Sequence, residues 1–122
     1  MRQLVAVLAA TISLSATAAL AQDPNADFKK ADKELNTTFR EVEKRLADDA
    51  SGKARLVAAQ KAWIAFRDAE CQFQSSGVDG GSAAPMVALG CQATLTSGRT
   101  EQLKAYLNCQ EGDLSCPVPS AQ

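Results

Sequence analysis

The chain has 122 residues, four cysteines, no histidine and a formal net charge of −1, with 46% hydrophobic but only 5% aromatic residues. That length suits one domain rather than two, and the missing histidine removes the commonest general base and a frequent metal ligand. No concentrated basic face is visible, so a nucleic-acid partner is not expected, and no cofactor motif is present.

The N-terminus reads as a leader. Met1-Arg2-Gln3 carries one positive charge, Leu4 to Leu14 is almost wholly apolar, and Ala19-Leu20-Ala21 fits the small-residue pattern before a cleavage site. The predicted division is a signal peptide over 1–21, a helical domain over 22–108 and an irregular C-terminal tail over 109–122. The apolar run falls short of the roughly 20 residues a spanning helix needs. No later segment approaches that length, so no membrane insertion is expected after cleavage. The first cysteine is Cys71, far from the cleavage point, which argues against a lipid anchor. The expected location is the bacterial periplasm or the medium, as a soluble protein.

Asp23-Pro24-Asn25 supplies capping and first-turn residues for a helix. Phe28, Ala31, Leu35, Phe39, Val42 and Leu46 then recur at three- and four-residue gaps, a single apolar stripe. Ala50-Ser51-Gly52 is expected to end this helix, with the glycine free to take a left-handed conformation. A second helix is predicted from Lys53 to Gln74, its stripe formed by Leu56, Ala59, Trp63, Phe66, Glu70 and Phe73. The short turn between the two predicts an antiparallel hairpin. Ser75 to Ala84 reads as a glycine-rich loop. Pro85 opens a third helix whose stripe is Met86, Leu89, Ala93, Thr96, Thr100, Leu103 and Leu107; its small residues predict close packing. No strand pattern appears. The predicted fold is all-α, a small three-helix up-down bundle.

Four cysteines in an exported chain predict disulfides, with three pairings open. A metal site is not expected, because no two cysteines have the two-residue gap of a typical zinc site. The helix map favours Cys71–Cys91, tethering the glycine-rich loop between the second and third helices, and Cys109–Cys116, closing the tail into a ring.

Charge is uneven. Residues 22–67 carry ten Lys/Arg and eight Asp/Glu, whereas residues 68–122 hold Arg99 and Lys104 against six acids. A cationic partner would be drawn to the acidic half. Trp63 is expected as a core anchor whose N–H finds a partner. Arg67 and Asp68 are neighbours on a helix and are expected to diverge, each reaching a different element. Arg99 is expected to complement Asp68 or Glu70. Asp68 and Glu70 do not make a glycosidase pair, since residues two apart on a helix diverge and a domain this small offers no deep cleft. Catalysis is therefore not expected.

Ala31-Asp32-Lys33-Glu34-Leu35-Asn36-Thr37-Thr38-Phe39 resembles a D-x-x-L-N-x-x-Y opening. Ala59 to Cys71 is similar to an A-Q-x-A-W-I-x-[YF]-R-D-x-x-C segment, and Cys91, Thr96, Arg99 and Leu103 follow in order. Together these resemble the LprI-like lysozyme-inhibitor family over about residues 28–107. The resemblance implies a small exported helical protein that binds a cationic lysozyme-type enzyme. The alternative is an envelope interaction module without that activity. For an inhibitor, the tethered loop is the expected contact, with Asp79 and Ser82 touching the partner and Glu70 and Glu101 adding charge.

Overall fold

A computed structural model describes residues 22–121, so the leader over 1–21 lies outside the described residues. Among the described residues three α-helices form, α1 (Pro24–Arg45), α2 (Ala50–Ser75) and α3 (Ala84–Leu107), with a 3₁₀ turn at Ser76–Val78. No strand occurs among the described residues. The all-α, three-helix reading holds.

α1 starts where the sequence places it. The Asp23 carboxylate accepts from the Asn25 N–H at 3.0 Å, and Pro24 sits at the first turn, where its missing N–H is harmless. Its stripe buries Ala31, Leu35, Val42 and Leu46, and the last three meet Leu103 of α3 in the core. Phe39, Leu56, Trp63 and Tyr106 pack around them, partly buried. Burying a Leu or Val side chain contributes roughly 1.5–3 kcal/mol.

The end of α1 differs from expectation. The helix stops at Arg45, and Ala50-Ser51-Gly52 is the first turn of α2. Gly52 has no positive φ; the Asp49 carboxylate accepts its N–H at 2.8 Å and fills the space a Cβ would need. An N-cap aspartate thus overrides the glycine's terminating tendency.

α2 runs antiparallel to α1, with Arg67 beside Asp32 and Phe28. The close packing, however, is made by α3, which lies parallel to α1 and antiparallel to α2. The predicted α1–α2 hairpin is therefore two helices bridged by long side chains and both seated on α3. Thr96 and Thr100 are fully or nearly fully buried there, and the Thr100 hydroxyl donates to the Thr96 carbonyl at 3.1 Å, leaving no orphan.

Both favoured disulfides are present, Cys71–Cys91 with Cα atoms 5.5 Å apart and Cys109–Cys116 with Cα atoms 5.9 Å apart. The tail is irregular yet integrated: Val118 is buried in the core. Arg45 donates to the Pro119 and Leu107 carbonyls, both at 2.9 Å, pinning the tail and the C-terminal end of α3 together.

On the surface Lys104 donates to Glu34 at 2.8 Å and to Glu101 at 3.0 Å. The hydrogen bond from Lys104 holds the Glu34 carboxyl below its ordinary value, and Glu34 and Glu101 hold the Lys104 ammonium above its own. A lowered carboxyl stabilises the fold above the ordinary glutamate value and loses that contribution as pH falls through the lowered one. The Lys104 contribution is present below the ordinary lysine value and lost as pH rises through the raised one. In low salt, Glu34→Gln should therefore melt slightly below wild type at neutral pH. The difference should vanish on acidification and in high salt, as thermal melts at several pH values would record.

Candidate functional site

α2 buries a stripe that the apolar periodicity does not show. Gln60, Arg67, Cys71 and Ser75 face inward, with Leu56 and Trp63 partly buried beside them. Arg67, only 8% exposed, is the centre of this polar interface. Its guanidinium carbon lies 5.3 Å from the ring centroids of both Phe28 and Trp63, so α1 and α2 contribute one aromatic wall each. Its Nε and Nη2 both reach Asp68 Oδ1 at 2.9 Å. Its Nη1 lies 3.5 Å from the Thr96 hydroxyl of α3 and 3.9 Å from Asp32 of α1.

Three sequence expectations are corrected here. Each does reach another helix, Arg67 to α1 and α3 and Asp68 to Gln92 of α3 at 3.4 Å, but the two do not diverge: they also pair with each other. The long arginine side chain curls back over its neighbour, which spacing on the helix does not forbid. Arg99 does not meet Asp68 or Glu70; it donates to Gln60 Oε1 and Gln102 Oε1, both at 3.0 Å. With Asp68 already committed to Arg67, the buried Gln60 amide needs a partner of its own, and Arg99 supplies it. Among the described residues the Trp63 N–H finds no partner, while the ring face takes the Arg67 guanidinium. Trp63, Arg67, Asp68 and Arg99 thus lock the helices together, and nothing in their arrangement is a nucleophile or a free base. Among the described residues no cluster of three or more metal-ligating side chains forms.

The loop after α2 is held at its base by Cys71–Cys91 and within itself by turns. Asp79, Gly81 and Ala84 donate backbone hydrogen bonds three residues back, at 3.3, 3.1 and 3.3 Å. Gly80 has φ +77°, a conformation other residues rarely adopt. Asp79 and Ser82 are exposed at its surface. Glu70 is half-exposed on α2 and accepts from Gln74 at 3.1 Å. Glu101 stands apart: it is roughly 25 Å along α3 from the loop at 1.5 Å per residue, and Lys104 pairs with it.

Met86, expected on the α3 stripe, is 60% exposed, and two residues of the α2 stripe lie outside the core as well. Phe66 and Phe73, expected in the core, are 55% and 73% exposed. They are seven residues apart, and Glu70 lies between them at helical spacing, so all three share one outward face. Ala62 and Ala69, also exposed, widen it. The signal that sets this phase is Cys71. Its bond to Cys91 obliges it to face α3, and at about 100° per residue Phe73 and Phe66 fall roughly 140–160° away from it.

The family described as "Lysozyme inhibitor LprI" matches residues 9–103. A protein of Rhizobium meliloti (strain 1021), titled "Uncharacterized protein R02472", is 41% identical over 96 residues, which is 70% of this chain and 69% of that relative. No solved structure matches. The family match covers the Arg67 interface, the tethered loop and the Phe66–Phe73 face, and it stops before the Cys109–Cys116 ring.

Proposed function

The chain belongs to the LprI lysozyme-inhibitor family, and from that premise we propose that it is an exported binding module that inhibits a cationic, lysozyme-type peptidoglycan-cleaving enzyme. The observation that carries this reading is the outward face of α2. Two phenylalanines more than half exposed, on a helix otherwise anchored by buried polar groups, are apolar surface left for a partner. Aromatic residues, phenylalanine included, are enriched at protein interfaces. Glu70 between them and Asp79 on the tethered loop supply the negative charge that steers a basic protein, and the Ser82 hydroxyl offers a neutral hydrogen bond. A loop already ordered by its staple and turns loses less entropy on docking. Glu101 belongs to the α1–α3 surface and adds only long-range charge.

In this reading residues 1–21 are a signal peptide, residues 22–108 the binding domain and residues 109–122 a tail. Two disulfides suit the oxidising periplasm or medium. No described helix is long and apolar enough to cross a membrane. The protein acts by occupying its partner and uses no cofactor.

The test is a lysozyme cell-wall lysis assay on the oxidised protein, with a reduced and alkylated sample alongside. Inhibition near equimolar ratio by the oxidised form, lost on reduction, supports the proposal, and Asp79→Lys should then weaken inhibition several-fold if the loop touches the enzyme. No inhibition at large molar excess would discard lysozyme as the target and leave an envelope interaction module.

A further inference from the structure

The back of α1 presents a different chemistry from the outward face of α2. Opposite the buried Ala31, Leu35 and Val42 it carries Lys29, Lys33, Arg40 and Lys44, all exposed. At about 100° and about 1.5 Å per residue, these four fall within an arc of about 60° along about 22 Å of helix. No ion pair among the described residues uses any of them; the pairs that form belong to Arg67 and Lys104. Arg40 donates to the Thr37 hydroxyl at 3.4 Å, which keeps it along the same stripe. We propose that this stripe docks the protein on an anionic phospholipid membrane, peripherally, with the back of α1 against the headgroups.

The sequence interleaves these cations with acids and so shows no basic face, but helical winding sorts the two signs. Asp32 turns toward Arg67, and Glu34 pairs with Lys104. Asp27 and Glu34 line, with Lys30, a groove between α1 and α3. Glu41 and Glu43 flank the stripe one on each side, roughly 70–90° from its midline. A solvated helix face commonly alternates in sign, whereas this one holds four cations and no carboxylate. Lys29 with Lys33, and Arg40 with Lys44, are like-charge pairs four residues apart, which cost helix stability unless anions collect there.

Shape selects a surface among anionic partners. The back of a helix is convex and meets a plane along one line, and the cations occupy that line. A plane leaves the flanking acids and the acidic groove out of reach, whereas a flexible polyanion bends toward them and is repelled. The other residues of the stripe are Ala26, Asn36 and Thr37, so no large apolar side chain enters the acyl region and attachment is by charge alone. A cluster of roughly four basic residues is the lower end of what anionic lipids recognise. The acidic excess of residues 68–122 belongs to α2, the loop, α3 and the tail, so the charge asymmetry turns α1 toward a negative surface. The inference does not rest on the lysozyme reading, because Phe66 and Phe73 belong to α2 and take no part in it.

The helices, the core and both disulfides lie within residues 22–121, so the test uses the oxidised chain from Gln22 onward. It is mixed at low salt with vesicles of phosphatidylglycerol and phosphatidylcholine, or of phosphatidylcholine alone, and the bound share is read by sedimentation. Binding is expected to the anionic vesicles only, and it should fade as salt is added. Lys33→Gln/Arg40→Gln changes two exposed positions to a residue that also favours helix. It should melt as the wild type does and bind the anionic vesicles about 30-fold more weakly. Arg55→Gln/Lys61→Gln removes the same charge from exposed positions of α2 and should bind as the wild type does. No binding to anionic vesicles, equal loss in both double variants, or undiminished binding by Lys33→Gln/Arg40→Gln would each overturn the proposal. So would tighter binding to soluble polyphosphate than to vesicles of equal phosphate content, which would make the partner a chain rather than a surface.

Discussion

Arg67→Ala is expected to lower the melting temperature by about 10–20 °C, following from a loss of roughly 2–3 kcal/mol at about 4–8 °C per kcal/mol for a domain of this size. The side chain is buried between the Phe28 and Trp63 rings and ties α2 to α1 and α3 at once. Its removal deletes two cation–π contacts of about 0.5–2 kcal/mol each and opens a void between two aromatic rings. The carboxylates of Asp32 and Asp68 are nearly half exposed, so water takes over part of their solvation. The loss therefore stays below the 3–5 kcal/mol typical of breaking a fully buried pair. Arg67→Lys keeps the charge but not the flat fork that bonds Asp68 while lying between the rings, and should recover less than half of the loss. Melts of the three proteins by circular dichroism check this, and a wild-type melting temperature for Arg67→Ala would remove Arg67 from its central place.

The second large effect concerns the staples. Cys71 and Cys91 are 20 residues apart and Cys109 and Cys116 seven. Loop-closure entropy then assigns about 3 kcal/mol to the first bond and about 2 to the second. Cys71→Ala/Cys91→Ala should lower the melting temperature by about 10–20 °C, more than Cys109→Ala/Cys116→Ala. The two double variants should also differ in kind. Losing the first frees the loop and should raise amide exchange across Ser76–Ser82; losing the second should raise it at Val118. Equal exchange in the loop with and without the Cys71–Cys91 bond would mean the turns alone hold it.

Much of this frame is legible from residue types. The α1 stripe is buried as its spacing indicates, and the two threonines of α3 sit at a tight helix contact as their size suggests. α2 is where periodicity misleads. Its most hydrophobic positions include Phe66 and Phe73, so a stripe drawn through them seems to be the core; the buried positions are instead Gln60, Arg67, Cys71 and Ser75. Polar residues can occupy an interface when they satisfy one another, as Gln60 with Arg99 and Arg67 with Asp68 and Thr96 do. Hydrophobicity carries no record of that. The cysteine pairing does, because it fixes which side of α2 meets α3.

The tail was legible as a ring but not as part of the core. Arg45 is held by carbonyls of Leu107 and Pro119, and a backbone acceptor leaves no mark in residue identity. Gly52 shows the same limit from the other side: a glycine after a helix looks like a stop until the aspartate three residues earlier is recognised as the cap of the next one. Of the candidate contact residues, Glu70, Asp79 and Ser82 lie where a surface reading puts them. The exposure of Phe66 and Phe73 was hidden by their own hydrophobicity.

The proposed inhibition rests on the outward face of α2. The most direct measurement is calorimetric titration of a lysozyme with the oxidised protein and with its Phe66→Asp/Phe73→Asp variant. Both residues are exposed, so the variant should keep the wild-type melting temperature. Wild-type protein is expected to bind saturably, and the variant at least about 100-fold more weakly, the scale of losing two anchoring aromatics. Equal binding by both proteins, or no binding by the wild type, would contradict it.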